Sequence, residues 1–578
     1  MRSTLAQHLR SDRWSLAVVC VAVVACALLT WQWQLRGDDG SGWNKVIRGD
    51  AKGYYSYLPA VFIHGDLSHP AGGEGSMNTT PQGVVRKYSM GTAVAQLPFF
   101  LAGDAVARMQ YAKRTGYEQP YHVSIAIGAI IALLIGLLVL RRVLLVSGFS
   151  DGTVAWVLVL LCGGTSLVYA AVAAAAYSHI WSFMLVACFL RCVQRGVIDR
   201  SARSIVAAGL LLGLVALIRP VNVIIVLALP MLLQGWPFSG PWKGEWPSAR
   251  TNLIAAVGCC AVVALQPLAW KLQTGHWVVW SYAEEGFHWS RPEVLQVLFG
   301  PIKGLFFWWP VLLAIIPGVV LIARTSRWAG GFGIGYFVVL IYITSAWWCW
   351  YYGDGYGLRP IIDHFPALAV ALAAFVQWIS GRWRIVAGGV AVGLCALQWF
   401  QIRQFEFGII HPHSMSWQKY RTIFLKGDEH WRGALGGNYE MAQYAPNGYD
   451  TLFNGELPVS LVDAQHPYSR GLHLDSAALP DGRRLFVEAE VTRSEHAAGS
   501  STDAIMVCEI GHDGEPYIYY KFKLNDLPTP PAGTTATWRY AFPMAAARPP
   551  DELKLYVWQT GEGAFTIDRF HATVKAVR

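Results

Sequence analysis

The sequence is poor in charge. Of its 578 residues only 14% are Asp, Glu, Lys or Arg, against about a quarter in an ordinary soluble protein. The scarcity is uneven. Residues 153–190 carry no charged side chain at all, and long uncharged runs of this kind alternate with short basic clusters. A wholly soluble globule is thereby excluded. Cysteine supplies no disulfide framework. Eight of the ten (Cys20, Cys26, Cys162, Cys188, Cys192, Cys259, Cys260 and Cys395) lie in apolar segments, and Cys508 stands alone in the polar last third. In apolar surroundings cysteine acts as a small hydrophobe. No CxxC or zinc-type spacing occurs. His64, His69, His179, His288 and His364 are scattered without metal-ligand spacing, so a divalent metal is not indicated. Acidic residues are fewer than basic ones, for a net charge of +9. The arginines sit at the ends of apolar runs, where the positive-inside rule expects them, which argues against a nucleic-acid partner.

What is abundant is apolar sequence in lengths that suit a bilayer. A membrane helix needs about 20 apolar residues. Trp14 to Leu35 qualifies and reads as a retained first span, too long for the core of a signal peptide. Arg2, Arg10 and Arg13 precede it and place the N-terminal side in the cytoplasm. Residues 36–120 then form a long outer loop. Within it Gly91 to Met109 is apolar but broken by Pro98, Gly103 and Asp104, and reads as an interfacial helix pair rather than a span. Tyr121 to Leu140 is the second span. Residues 153–190 form a helical hairpin breaking near Tyr177-Ser178-His179. Residues 204–236 form another, with Arg219-Pro220 at its turn and Lys243 beyond it. Thr251 to Trp270, Gly304 to Ala323, Trp328 to Trp350, His364 to Ser380 and Ile385 to Ile402 complete eleven spans. Each loop assigned to the cytoplasm is short and carries at least two Lys or Arg. The polar and aromatic loops therefore all fall on the outer face.

From about residue 430 the pattern changes to short β-prone segments: Arg484 to Val491, Ala504 to Ile510, Tyr517 to Leu524, Thr535 to Phe542, Leu553 to Gln559 and Phe565 to Val577. Turn signals such as Asp481-Gly482, Asp513-Gly514 and Pro528 to Gly533 separate them, as in a β-sandwich of jelly-roll type.

Several outer segments carry groups suited to chemistry. Asp50 lies in Arg48-Gly49-Asp50-Ala51-Lys52-Gly53-Tyr54-Tyr55, just after the first span. Nearby cations can hold such a carboxylate ionised, ready to act as general base on a hydroxyl. The plainer reading is a solvated turn aspartate between two glycines. Arg86-Lys87 precede the helix start at Gly91, where phosphate could bind, or where basic residues simply meet anionic lipid headgroups. Arg219 stands between two apolar runs, costly unless it faces a cavity or snorkels to the surface, and Asn222 follows one turn later. Residues 281–289 include Glu284, Glu285 and His288, with Lys303 beyond. Residues 347–359 include Tyr352, Asp354 and Arg359, followed by Asp363-His364. Aromatic faces pack on sugars, carboxylates accept from hydroxyls and arginine holds phosphate. The same residues would also suit an aromatic belt with scattered loop charges, and Asp363-His364 a helix N-cap.

Taken in order, these residues resemble the GT-C superfamily of membrane glycosyltransferases, and within it the bacterial protein O-mannosyltransferase and aminoarabinose transferase-like members. The resemblance covers roughly residues 10–400. It rests on Gly49-Asp50 with Tyr54-Tyr55, Lys87-Tyr88 with Gly91-Thr92 and Pro98-Phe99-Phe100, Tyr177-Ser178-His179, Leu217-Ile218-Arg219-Pro220, Lys303-Gly304-Leu305-Phe306, and Tyr351-Tyr352-Gly353 through Arg359 to Asp363. It implies transfer of a sugar from a polyprenyl-phosphate donor, by an inverting displacement, to an envelope glycan, lipid or protein acceptor outside a bacterial inner membrane. It implies Asp50 as catalytic residue, and Lys87 and Arg359 as contacts to the donor phosphate. By the chemistry of their side chains Arg219 and Lys303 are further candidates for that phosphate, and Tyr54, Tyr55, His179, Glu284, Glu285, Tyr352, Asp354, Asp363 and His364 for sugar or acceptor. The commonest family pattern is an acidic pair. Here Ala51 follows Asp50, a departure that bears on the subfamily and on metal use.

The expected organisation is a transmembrane catalytic domain over residues 1–402, a connector at 403–429 and an extracytoplasmic sandwich at 430–578. Two other functions fit the same composition: a flippase for lipid-linked sugars, or a membrane anchor presenting a carbohydrate-binding sandwich. A flippase would need polar groups along a path at mid-membrane, whereas here they gather toward one face.

Overall fold

The computed structural model describes residues 13–36, 42–71, 77–234, 248–283, 285–412, 414–432, 448–512, 515–524, 530–544 and 550–577. Arg2, Arg10, Lys243, Glu284, Asp513-Gly514 and Pro528-Thr529 lie outside them. The chain divides into two compact units, Met1–Trp399 and Phe400–Arg578.

The first unit is helical. Its principal helices are α1 (Arg13–Thr30, prolonged by a wider turn to Arg36), the short α2 (Asp50–Tyr55), α3 (Gly91–Gln110) and α4 (Gln119–Val146). There follow α5 (Asp151–Gly163) with α6 (Leu167–Ala173), α7 (Ser178–Ile198), α8 (Ala202–Ile218), and α9 (Ala249–Val263) with α10 (Leu265–Thr274). The series ends with α11 (Ile315–Thr325), α12 (Arg327–Ala346), α13 (Phe365–Trp378) and α14 (Trp383–Glu406).

Among the described residues seven stretches are long and apolar enough to cross a membrane: Arg13–Arg36, Gln119–Val146, Ser178–Ile198, Ala249–Thr274, Arg327–Ala346, Arg359–Trp378 and Trp383–Glu406. Helices α5 and α6 make an eighth, bent by 46°. Three shorter apolar pieces, Ala202–Ile218, Pro220–Leu232 and Pro310–Thr325, complete a set that coincides in position with the eleven stretches read from the sequence. The protein is a multi-pass membrane protein. The short pieces have a local cause. Pro220 and Pro310 each open a tight 3₁₀ turn, and Pro360 is the second residue of another. Proline has no N–H to give to a preceding helix, so it starts an element better than it continues one.

The region 91–110 differs from expectation. It is one continuous helix, not a pair. Pro98 lies inside it without ending it, and Asp104 is no breaker because it is paired. Its carboxylate accepts from Arg108 Nε at 2.8 Å and from the Tyr121 hydroxyl at 2.7 Å, and it also meets Arg114. A neutralised carboxylate can sit inside a packed helix at little cost.

The ends of the helices sort into two sets. At one end the start of α1 meets the end of α4 and the start of α5. Asp151 accepts from the Trp14 backbone N–H at 3.0 Å, and Arg141 Nε donates to Ser15 Oγ at 2.6 Å. At the other end the segments after α1, before α3, before α7, after α8, after α10 and after α12 converge on one cavity.

The second unit is a β-sandwich. Strands β1 (Met77–Thr80) and β2 (Gly83–Arg86) form a small hairpin in the first unit, so the sandwich begins at β3 (Tyr449–Leu457). It continues with β4 (Ser460–Val462), β5 (Leu472–Leu474), β6 (Leu485–Glu495), β7 (Ala504–His512), β8 (Glu515–Lys523), β9 (Thr535–Met544), β10 (Glu552–Gln559) and β11 (Phe565–Val577). One sheet runs β3-β11-β6-β9, with β4 also on β11, and the other runs β5-β10-β7-β8. All recorded pairings are antiparallel. Strands far apart in sequence, such as β3 with β11 and β5 with β10, lie side by side, as in a jelly roll. Alternation drives this packing: Leu553, Leu555 and Val557 of β10 are fully buried while the residues between them are not. They join Val487 and Val491 of the facing sheet in one apolar core.

Candidate active site

The cavity at the loop end of the helices encloses about 370 Å³, within the range of ligand pockets. Asp50 opens α2 at its rim. The Asp50 side chain is 46% exposed, so it keeps an edge open to solvent while its other contacts are fixed. Oδ1 accepts a hydrogen bond from the Tyr88 hydroxyl at 2.8 Å, and Oδ2 lies 3.7 Å from the Arg359 guanidinium. Tyr88 reaches it because residue 53 is glycine. A Cβ there would lie 2.4 Å from the Tyr88 ring. Burial first, and then the adjacent Asp50 charge, push the Tyr88 phenol far above its usual range. Tyr88 therefore stays a neutral donor to the carboxylate.

Arg359 is held on three sides. It donates to the Tyr352 carbonyl, packs over the Tyr177 ring at 5.1 Å and faces Asp50. Stacking on an aromatic face suits a guanidinium and fixes its plane. The backbone at Tyr352 takes a positive φ of 54°, a conformation that costs about 1–3 kcal/mol in a non-glycine residue and persists only where surroundings impose it.

Lys87 also lines the cavity, but its ammonium is engaged: Glu285 lies 2.6 Å away, on the segment that follows α10. The Ser281 hydroxyl donates to the Lys87 carbonyl at 2.8 Å, tying the same two segments together. The neighbouring Arg86 is fully buried and serves the fold, donating to Ser56 Oγ at 2.6 Å and to the His69 carbonyl at 2.6 Å. The start of α3 is likewise occupied, since the Met90 N–H donates to Gln266 Oε1 at 2.8 Å.

Arg219 sits at the sharp junction between α8 and the Pro220 turn. Its guanidinium lies 3.7 Å from Asp363 and packs over the Tyr352 ring at 5.6 Å. Asp363 accepts from Asn222 Nδ2 at 2.7 Å and pairs with His179 Nδ1 at 2.8 Å. His364 lines the cavity and bonds through Nδ1 to the Tyr336 hydroxyl at 2.8 Å.

Aromatic rings supply much of the remaining wall. Tyr54 lies against Tyr88 at 4.4 Å, Tyr88 against Tyr282 at 6.0 Å, and Tyr282 edge-on to Trp347 at 5.5 Å. The segment carrying Tyr282 is stitched to the one carrying Trp347: the Trp348 N–H donates to the Gly286 carbonyl at 2.9 Å and the His288 N–H to the Ala346 carbonyl at 2.6 Å. Burial raises the Tyr54 phenol to about 12, with Asp50 adding to the rise and Arg219 opposing it.

Asp50, Tyr54, Lys87, His179, Arg219, Glu285, Tyr352, Arg359 and His364 thus line one cavity, as their sequence positions suggest. The other residues singled out lie elsewhere. Tyr55 is fully buried, turned to Phe100 and Tyr117, with its hydroxyl donating to the Gly116 carbonyl at 2.7 Å. Successive helical residues point about 100° apart, so Tyr54 and Tyr55 could not both face the cavity. Lys303 is buried and donates to the Gly355 carbonyl; it braces the Arg359 loop and does not reach the cavity. Asp354 is exposed on that loop, away from the lining. Asp363 lies behind the lining, and Glu284 lies outside the described residues. Tyr88, Tyr177, Asn222 and Tyr282 also line the cavity, though the sequence assigns none of them a binding or catalytic role. Tyr88 and Tyr177 belong to the ordered motifs and Asn222 follows Arg219 by one turn, and those were the signals that pointed to them.

Among the described residues no group of three or more His, Cys, Asp or Glu side chains is placed to hold a metal ion. The arrangement combines a carboxylate with one open edge, two guanidiniums stacked on tyrosines, an ammonium paired with a carboxylate and flat aromatic faces.

No family model matches the chain, and no curated protein does. Among solved structures it is similar to the Archaeoglobus fulgidus oligosaccharyltransferase in complex with zinc and sulfate, at 14% identity over 74% of this chain and 58% of that one, with a TM-score of 0.34. It is also similar to the archaeal oligosaccharyltransferase AglB from Archaeoglobus fulgidus in complex with an inhibitory peptide and a dolichol-phosphate, at 13% identity over 72% and 54%, with a TM-score of 0.33. The chain spans less than two thirds of the length of either.

Proposed function

We propose that this protein is a GT-C-type glycosyltransferase that moves a sugar from a polyprenyl-phosphate donor to an acceptor hydroxyl at the outer surface of a bacterial inner membrane. The observation that carries the reading is the meeting of the ordered motifs. Asp50, Lys87-Tyr88, Tyr177 with His179, Arg219-Pro220, Tyr352-Gly353 and Arg359 are far apart in sequence and line one cavity.

The chemistry follows from what each group can do. An acceptor hydroxyl approaches the open edge of Asp50, which takes its proton as the oxygen attacks the anomeric carbon. The Tyr88 hydrogen bond and the nearby Arg359 guanidinium hold Asp50 aimed. The bond from the anomeric carbon to the phosphate oxygen breaks on the opposite side, so the transfer inverts. Arg219 and Arg359 stabilise the polyprenyl phosphate that leaves. Lys87 joins them when phosphate displaces Glu285 from its ammonium. The tyrosines and Trp347 give the sugar flat faces, and the site's place at the ends of apolar helices lets the lipid tail stay in hydrocarbon.

The test is Asp50→Asn. It keeps the shape and removes the base, so transfer should fall by about 10²–10⁴-fold while donor binding stays within a small factor. Normal turnover in that variant would dismiss Asp50 as the base.

A further inference from the structure

One wall of the cavity rests on a carboxylate that does not reach it. Asp363 has no exposed surface and lies behind the lining, near the end of the 3₁₀ turn Arg359–His364 that runs into α13. Three neighbours address it, and all three are donors. His179 Nδ1 lies 2.8 Å from Oδ1, Asn222 Nδ2 donates to Oδ2 at 2.7 Å, and the Arg219 guanidinium lies 3.7 Å from Oδ2. Asn222 spends its second amide hydrogen on Ser182 Oγ at 2.9 Å, so it cannot turn its carbonyl to Asp363 without loss. An ionised carboxylate is the side chain that accepts at every position. His179, Arg219 and Asn222 themselves face the cavity.

The pairing has a consequence for the imidazole. A hydrogen on Nδ1 directed at Asp363 leaves Nε2 bare, because which ring nitrogen carries the proton is set by the bond the other makes. Among the described residues no hydrogen bond reaches Nε2.

We propose that Asp363 is the positioning residue of this wall: it fixes His179 with a bare Nε2 toward the cavity and holds Arg219 beside it, so that one wall offers an acceptor for a hydroxyl of the donor sugar next to a cation for the lipid phosphate. The assignment of these two ligand groups rests on the glycosyltransferase reading. The fixing of the imidazole rests on geometry alone. His179 then reads the sugar through a hydrogen bond from a hydroxyl, while Arg219 reads the phosphate common to every donor of this class.

Asp363→Asn separates this from a purely structural role. The carboxamide must aim its NH₂ at His179, or at Asn222 and Arg219, so either the tautomer or the guanidinium loses its support. The full-length protein, labelled with ¹⁵N-histidine and held in lipid nanodiscs, is examined by NMR, with His179→Gln assigning the signal, and titrated with farnesyl phosphate. In the wild type Nε2 of His179 should show the shift of an unprotonated nitrogen. Asp363→Asn should move that signal toward a protonated Nε2 or weaken farnesyl phosphate about 10-fold, as Arg219→Gln does, this being the scale of a lost hydrogen bond to a charged group. A protonated Nε2 in the wild type overturns the proposal, as does an Asp363→Asn protein with both tautomer and affinity unaltered. If Asp363→Asn does not fold, the wild-type nitrogen shift decides alone. Failure of the wild type to bind farnesyl phosphate would count against the glycosyltransferase reading and leave the tautomer to judge Asp363.

Discussion

Asp50 owes its surroundings to a missing side chain next to it. Gly53 leaves the space into which the Tyr88 ring fits, and that ring delivers the hydroxyl that aims the carboxylate. Gly53→Ala should displace Tyr88 and lower the rate of transfer about 10-fold, the worth of a hydrogen bond to a charged group. Tyr88→Phe should match it in kinetic assays, with little change in folding. Lys303 shows a second residue-scale effect. Burial, and then Arg359, push its ammonium down to about 7 from 10.5. The folded chain therefore releases a proton that the unfolded chain still holds across roughly pH 7 to 10, so stability rises with pH over that window. Thermal unfolding in detergent should show this rise in the wild type and a flatter profile in Lys303→Met.

At the scale of elements, the site depends on how closely α3 meets the end of α8. A Cβ at Gly91 would lie 2.2 Å from the Ile218 backbone nitrogen, one residue before Arg219. Backbone cannot yield as a side-chain tip can, so Gly91→Ala should cost about 1–3 kcal/mol. It should also raise KM for the donor by shifting Arg219, a pairing that thermal unfolding and initial-rate kinetics read separately. Elements of this kind were unevenly legible. The apolar stretches announced themselves because a helix in lipid must be apolar along its whole length. Residues 91–110 did not, because Pro98 and Asp104 read as breaks, and the contacts that satisfy Asp104 come from the Arg114 ion pair and the Tyr121 hydroxyl as well as from Arg108 within the helix. The strands of the sandwich were legible from alternation and turn residues, whereas the pairing of β3 with β11 is a non-local contact that alternation does not encode.

At the scale of the whole molecule, positive charge at alternate loops sorted the sequence into two faces, and the cavity draws on the loops of one of them. That is why so much of the site was legible: alternation alone assigned Asp50, His179, Arg219, Glu285 and Arg359 to a single face. What it could not give was direction within the face. It did not separate Tyr54 from Tyr55, nor show that Lys87 is engaged by Glu285 or that Asp363 stands behind His179. Those facts are set by packing between segments distant in sequence. The central claim is that this cavity breaks the bond between a sugar and a lipid phosphate. The most direct measurement reconstitutes the full chain in liposomes with radiolabelled lipid-linked sugars and a membrane extract from the source cells as acceptor, and follows the label by chromatography. Label leaving the polyprenyl phosphate with the wild type, and staying on it with Asp50→Asn, is the predicted result. Label that changes leaflet while remaining lipid-linked in both proteins would contradict the account and mark a transporter.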